Sequence, residues 1–209
     1  MMGNFIDHLC FKIINLIKYR ATRYMRSQLA ECESGAFIQY PASCGNFKNI
    51  HLKKDSHLFE NFNFVSRTGN FYMGEGSTTG IGLSIITNTH KRVLGHLRVN
   101  NHSEDYDQDI IVEEDVLFGA FVTLMDGCRI GRGATIGAGS VIRNNVPPYS
   151  IVVGNPAKVV GFSFTPEQII EHEKNIYPKE KRLPLELLEK NYEKYFIKRM
   201  KEIRNYMSI

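Results

Sequence analysis

The chain has 209 residues, of which 43% are hydrophobic, and a net charge of +4 with a pI near 8.8. That length makes one main domain plus appendages. The mild positive balance falls short of a nucleic-acid footprint, which needs charge clustered on one face. Cys10, Cys32, Cys44 and Cys128 form no CxxC pair, which disfavours a zinc or redox motif. Asp7, His8 and Lys12 interrupt any early apolar run, and no stretch approaches the ~20 apolar residues of a membrane span. The expected compartment is reducing and cytoplasmic.

Residues 1–34 form the first unit, with one amphipathic helix predicted over residues 4–30. Phe5, Leu9, Ile13, Leu16, Ile17 and Tyr24 recur at helical spacing, with Lys12, Lys18, Arg20, Arg23 and Arg26 among them. The expectation is packing on the main domain or on a neighbouring subunit. Peripheral contact with an anionic membrane, at its inner face, is the second reading.

Residues 35–162 form the main domain. Residues 35–72 read as short strands and turns of imperfect period. Met73, Thr79 and Ile85 are six apart, with Ser77, Leu83 and Thr89 as second inward residues. The pattern stops over the polar stretch 91–111 and resumes at Val112. Val112, Phe118, Leu124, Ile130, Ile136 and Ile142 then recur every six residues, and Val116, Val122, Cys128, Ala134, Ser140 and Val146 follow them at the fifth position. A period of six is neither helical nor plain alternation, and it marks a solenoid with short straight faces. Gly119, Gly131 and Gly137 directly follow the aliphatic residues, where positive φ is expected at the turns between faces. A long loop thrown from a rigid solenoid is a candidate functional element.

Residues 163–209 form a helical extension. Thr165, Pro166 and Gln168 make a capping-box start. A longer helix is predicted over about 185–207, with Leu185, Leu188, Tyr192, Tyr195, Phe196, Met200, Ile203 and Met207 as its apolar stripe. Such elements cap solenoid ends.

The run IVEEDVLFGAFVTLMDGCRIGRGATIGAGSVI, followed by VPPYSIVVGNPAKVVG, resembles the hexapeptide-repeat acyltransferases. MGEGSTTGIGLSIITNTH resembles the segment before the catalytic histidine in the maltose and galactoside O-acetyltransferase branch. The match covers about residues 60–161. It implies a mainly β fold, a left-handed parallel β-helix flanked by N-terminal and C-terminal α-helices, working as a homotrimer. It also implies acetyl-CoA as acetyl donor with no metal, and a sugar or saccharide hydroxyl as acceptor. His90 is the implied general base, since an imidazole can take a proton near neutrality, and the acceptor would attack the thioester directly. The Ala120 N–H is the implied oxyanion donor. Gly119, Ala120 and Ala138 would leave room for pantetheine, while Arg143, Asn144 and Lys158 would face its phosphates.

Asn61, in NFN, and Asn88, in IITNTH, are substrate-side candidates. Asp105 either binds acceptor hydroxyls or orients His90, and a solvated loop face is the plainer account for Glu104, Asp105 and Asp107. Departures from the resemblance are Leu117, where many relatives carry Trp, and Gly161, where some carry a basic residue. The alternatives are an amine or serine acceptor, or a zinc enzyme of the γ-carbonic anhydrase type using His90, His96 and His102. Two of those histidines lie in the loop, where no repeat aligns them. A non-catalytic assembly solenoid is a third class.

Overall fold

A computed structural model describes residues 2–207, without the side chains of residues 2–5. The inward positions fall on three stacked faces. Glu31–Cys32, Ile50–Leu52, Phe71–Met73, Ile110–Val112 and Arg129–Ile130 make one five-stranded parallel sheet. Ala42–Cys44, Phe62–Val65, Ser84–Ile86, Thr123–Leu124 and Val141–Ile142 make a second. The third face runs through Phe37–Ile38, His57–Leu58, Thr78, Leu117–Phe118, Thr135–Ile136 and Ser150–Val153. The chain is thus a parallel β-solenoid with helices at both ends.

All twelve inward residues of the downstream hexads are buried. Inside so narrow a prism every buried polar group needs a partner, and the hydroxyls have them. Thr79 Oγ1 accepts the Phe59 N–H at 3.0 Å, and Ser77 Oγ donates to the Glu113 carbonyl at 2.7 Å. Ser140 Oγ accepts the Gly154 N–H at 3.1 Å. Burial pushes the Cys128 thiol up to about 12, so it stays a small protonated hydrophobe.

Two classes of glycine serve the coils, and the expected reason applies to only one. The left-handed corners are Gly76, Gly82, Gly127, Gly133 and Gly139, joined in the same register by Asp55, Asn61, Asp115 and Phe121. Gly119, Gly131 and Gly137 are not in that conformation. A Cβ on Gly119 would lie 2.5 Å from Ala138 N, and one on Gly131 would lie 2.5 Å from Pro148 N. Those glycines permit close coil-to-coil approach rather than a positive φ.

Several boundaries move. Residues 35–72 are regular coils, packed round Ile38, Ile50, Leu52, Leu58, Phe62, Phe64 and Phe71. Their bulky rings obscure the hexad in the sequence. The solenoid begins at Glu31–Cys32, inside the first predicted unit, because that strand pairs with Ile50–Leu52. The loop ends before Ile110, which pairs with Phe71. Thr89 is only half-buried; Thr87 is the buried residue there, as the chain leaves the coil.

Helix α1 spans Met2–Gln28. It meets the first coils only at its C-terminal end, where Met25 is buried and Thr22 Oγ1 accepts the Tyr40 N–H at 3.2 Å. Helix α2, Pro166–Ile176, starts with the expected capping box at Thr165 and Gln168. The predicted long helix is broken into α3, Leu185–Tyr195, and α4, Met200–Met207, with a 3-10 turn at Ile197–Arg199. The break falls where Phe196 and Tyr192 turn onto Phe162. Leu185 and Met207 stay exposed, so the apolar stripe packs only in its middle.

Candidate active site

His90 follows the short strand Asn88–Thr89, which pairs antiparallel with Tyr106–Asp107 at the far end of the loop. That pairing closes the loop and brings Asp105 back beside His90. Asp105 Oδ2 lies 3.1 Å from His90 Nδ1, 2.8 Å from Arg98 Nη2 and 3.0 Å from His102 Nδ1. Its Oδ1 accepts the Lys91 N–H at 3.2 Å. The Asp105 side chain is 3% exposed, whereas His90 is 53% exposed. The expected solvated loop face is overturned for Asp105, and also for Asp107, which holds Thr68 Oγ1 at 3.0 Å and the Arg67 N–H at 3.3 Å. Glu104 alone of the three is exposed.

Burial would raise the Asp105 pKa, but hydrogen bonds from His102, His90 and the Lys91 N–H, with the Arg98 charge, hold it well below the ordinary carboxylate range. Asp105 is therefore an anion committed to this cluster. An acceptor hydroxyl would have to displace those partners to reach it.

The Asn88 amide is 3.2 Å from His90 Nε2. Arg98 also bonds His90 Nδ1 and lies 2.6 Å from His102 Nδ1. Asp105 and Arg98 thus ask opposite tautomers of His90: a proton on Nδ1 for the carboxylate, a bare Nδ1 for the guanidinium. Only the first leaves Nε2 free to act as a base.

The loop histidines are better ordered than the sequence indicated. Ligand atoms of His90, His102 and Asp105 fall within 4.8 Å of one another, although His96 takes no part. The Arg98 guanidinium lies against both imidazoles and donates to the carboxylate of that set. A fixed cation among the ligands opposes a second one, so the group does not suit a zinc ion.

The remaining candidates form separate groups. Gly119 and Ala120 stack against Ala138 on the next coil, and the Ala120 carbonyl accepts the Gly139 N–H at 2.9 Å. Arg143, Asn144 and Lys158 line one cleft at the C-terminal end of the solenoid, completed by Tyr195 and Arg199. Lys158 Nζ there is 3.3 Å from Glu202 Oε1, and Arg199 holds Glu202 through two contacts of 3.0 Å. Asn61 occupies a coil corner at φ 62°, a conformation asparagine tolerates well, with its N–H on the Pro41 carbonyl. Among the described residues no hydrogen bond or ion pair links the His90 cluster to the Ala120 or the Lys158 group. Arg98 was missed in the sequence, since nothing periodic marks it.

Residues 109–144 match the bacterial transferase hexapeptide repeat. A galactoside O-acetyltransferase from Lactococcus lactis is 31% identical over 137 residues, 65% of this chain and 64% of that protein. Serine acetyltransferase 4 from Arabidopsis thaliana is 35% identical over 103 residues, 48% of this chain and 27% of that one. The chain therefore spans less than two thirds of these curated relatives. Among solved structures, a hexapeptide-repeat acetyltransferase from Vibrio cholerae complexed with acetyl-CoA is 25% identical with a TM-score of 0.61, covering 68% of this chain and 77% of that one. With its three-faced solenoid and its hexads, this chain is similar to the bacterial hexapeptide-repeat transferases.

Proposed function

We propose that this protein transfers an acetyl group from acetyl-CoA to a hydroxyl of a sugar or saccharide, with His90 as general base. The carrying observation is the pairing of an exposed imidazole with a buried anion: Asp105 on Nδ1, with the Asn88 amide on Nε2. Asp105 keeps the proton on Nδ1, and Nε2 takes the proton of the acceptor hydroxyl as its oxygen attacks the thioester carbonyl. The C–S bond breaks as the tetrahedral intermediate collapses, and the CoA thiolate leaves with the proton returned from His90. The Ala120 N–H is the oxyanion donor in this reading, and no described carbonyl accepts it. Gly119, Ala120 and Ala138 flank the pantetheine, and Arg143, Asn144 and Lys158 take the nucleotide end. Asn88 is the polar group nearest His90 Nε2 on the acceptor side, and Asn61 is a more distant acceptor candidate.

The three groups do not meet within one chain. A homotrimer, in which His90 of one prism faces the cofactor column of the next, completes the site. The likeness to acetyltransferases, one of them holding acetyl-CoA, supports the donor. Likeness to a serine acetyltransferase keeps an amine or serine acceptor as the second reading.

The test is thiol release from acetyl-CoA with a panel of sugars, oligosaccharides, serine and amines. Release with a saccharide is the expected result. Release only with serine or an amine would move the protein to the second reading, and no release with any acceptor would refute acetyl transfer.

A further inference from the structure

The net positive charge of the molecule matches that of one helix. Between residues 2 and 28 there are five cations, Lys12, Lys18, Arg20, Arg23 and Arg26, against the single anion Asp7. That balance of +4 equals the net charge of the chain, so all other residues together balance to zero. The helix is about 40 Å long, and every residue from 6 to 20 is exposed.

Its apolar side has no partner. At 100° per residue, Ile6, Leu9, Ile13, Leu16, Ile17 and Tyr24 fall within an arc of about 100°. Each is between 47% and 64% exposed. Thr22 and Met25, which fasten the helix to the first coils, lie about 130–170° round from the centre of that arc. The contact with the solenoid therefore turns the apolar stripe away from the protein. Arg20 also falls in that arc, and Phe11 and Ile14 are exposed on the other side, so the unpartnered apolar stripe runs from Ile6 to Ile17. Exposed apolar surface of this kind marks an interaction surface.

We propose that α1 docks flat on an anionic lipid membrane, its apolar stripe in the acyl boundary and its cations among the headgroups. No described helix is long and apolar enough to cross a membrane, so contact is in the plane of the interface. The sequence also speaks against a second copy of α1 as the occupant. A helical seam through Ile6, Leu9, Ile13 and Leu16 continues at Arg20 and Arg23, which puts like charges where a coiled coil needs apolar residues. On a membrane those arginines extend to the headgroups while their stems stay apolar. A nucleic acid would match the charge but leave the stripe uncovered. The proposal is independent of the acetyl-transfer reading.

The test is flotation of the full-length protein with vesicles of phosphatidylcholine alone and of phosphatidylcholine with phosphatidylglycerol, at low and high salt. Binding about tenfold stronger to the anionic vesicles, and weakened by salt, is expected. Ile13→Asp with Ile17→Asp should abolish it, and Lys12→Glu with Lys18→Glu should do the same. Lys179→Glu with Lys190→Glu makes the same change of net charge on exposed positions elsewhere and should leave binding intact. Loss of binding in that control would reduce the effect to bulk charge and overturn the proposal. Absence of wild-type flotation would overturn it as well, as would an assembly state that changes with the Ile13 and Ile17 variant while vesicles are ignored.

Discussion

Asp105 and Glu173 are both buried carboxylates bound to arginine, yet they are built for different work. Glu173 is fully enclosed. It takes Arg132 Nη1 at 3.1 Å, the Tyr149 hydroxyl at 3.0 Å and the Leu183 N–H at 2.6 Å. Arg132 also reaches the Lys181 carbonyl and lies over the Tyr177 ring. Burial raises the Tyr149 phenol far above its ordinary value, so it stays a neutral donor. None of these partners faces open water or changes charge near neutrality. Asp105 instead holds two imidazoles that are more than half exposed. An enclosed carboxylate with fixed partners fastens α2 to the solenoid. A buried carboxylate aiming an exposed titratable ring is an arrangement for chemistry.

The sharpest way to separate the two is to remove His90. His90→Ala should lower turnover by ~10²–10⁴, the range for loss of a general base, with an unchanged melting temperature. Near wild-type turnover would take His90 out of the mechanism. The mirror experiment is Glu173→Ala, which leaves Arg132 paired with Glu114 alone and strips the Tyr149 hydroxyl and the Leu183 N–H of their acceptor. It should cost about 2–4 kcal/mol of stability, measured by urea unfolding, while turnover per folded molecule holds. A loss of turnover with intact stability would erase the distinction.

Asp105→Asn tests the other half of the comparison. It keeps the shape but removes the anion, and turnover should fall about ten- to a hundredfold, the worth of one charged hydrogen bond. The pH signature has a definite sign. The Asp105 carboxyl is depressed in the folded protein, so its stabilisation is present above the ordinary carboxylate value of 3.8 and is lost as pH falls through the lowered one. The melting-temperature gap between wild type and D105N should therefore close only in strong acid. A gap that closed by pH 5 would contradict the depressed carboxyl.

The same contrast explains what could be read from the residues. The hexads from Val112 to Val146 repeat, so fold, coil register and core followed from spacing. His90 was singled out as the last residue of IITNTH. The Asp105 arrangement did not, because it depends on Asn88–Thr89 meeting Tyr106–Asp107, a pairing outside the repeat. The coils before residue 73 were hidden by Phe62, Phe64 and Phe71, which fill inward slots usually held by smaller aliphatic residues. Arg98 lies in aperiodic sequence, and its role exists only once the loop has closed. Periodic order is visible one residue at a time; convergence across a loop is not.

The smallest expected effect lies at the proposed cofactor cleft, where a third carboxylate sits between the two extremes. Glu202 is exposed, and its carboxyl is pulled down to about 2 by hydrogen bonds from Arg199 and Lys158. An anionic phosphate reaching Lys158 would have to compete with it. Lys158→Glu should weaken CoA more than dephospho-CoA, because reversal adds repulsion to the lost attraction. Glu202→Gln should do the opposite and tighten CoA roughly twofold to fivefold, the scale of an exposed ion pair. Both effects should shrink as salt rises, since the pair is open to solvent. Equal losses for CoA and dephospho-CoA in K158E would show that Lys158 does not read the 3′-phosphate. An unchanged affinity in E202Q would show that Glu202 only fastens α4 to the solenoid, as Glu173 fastens α2.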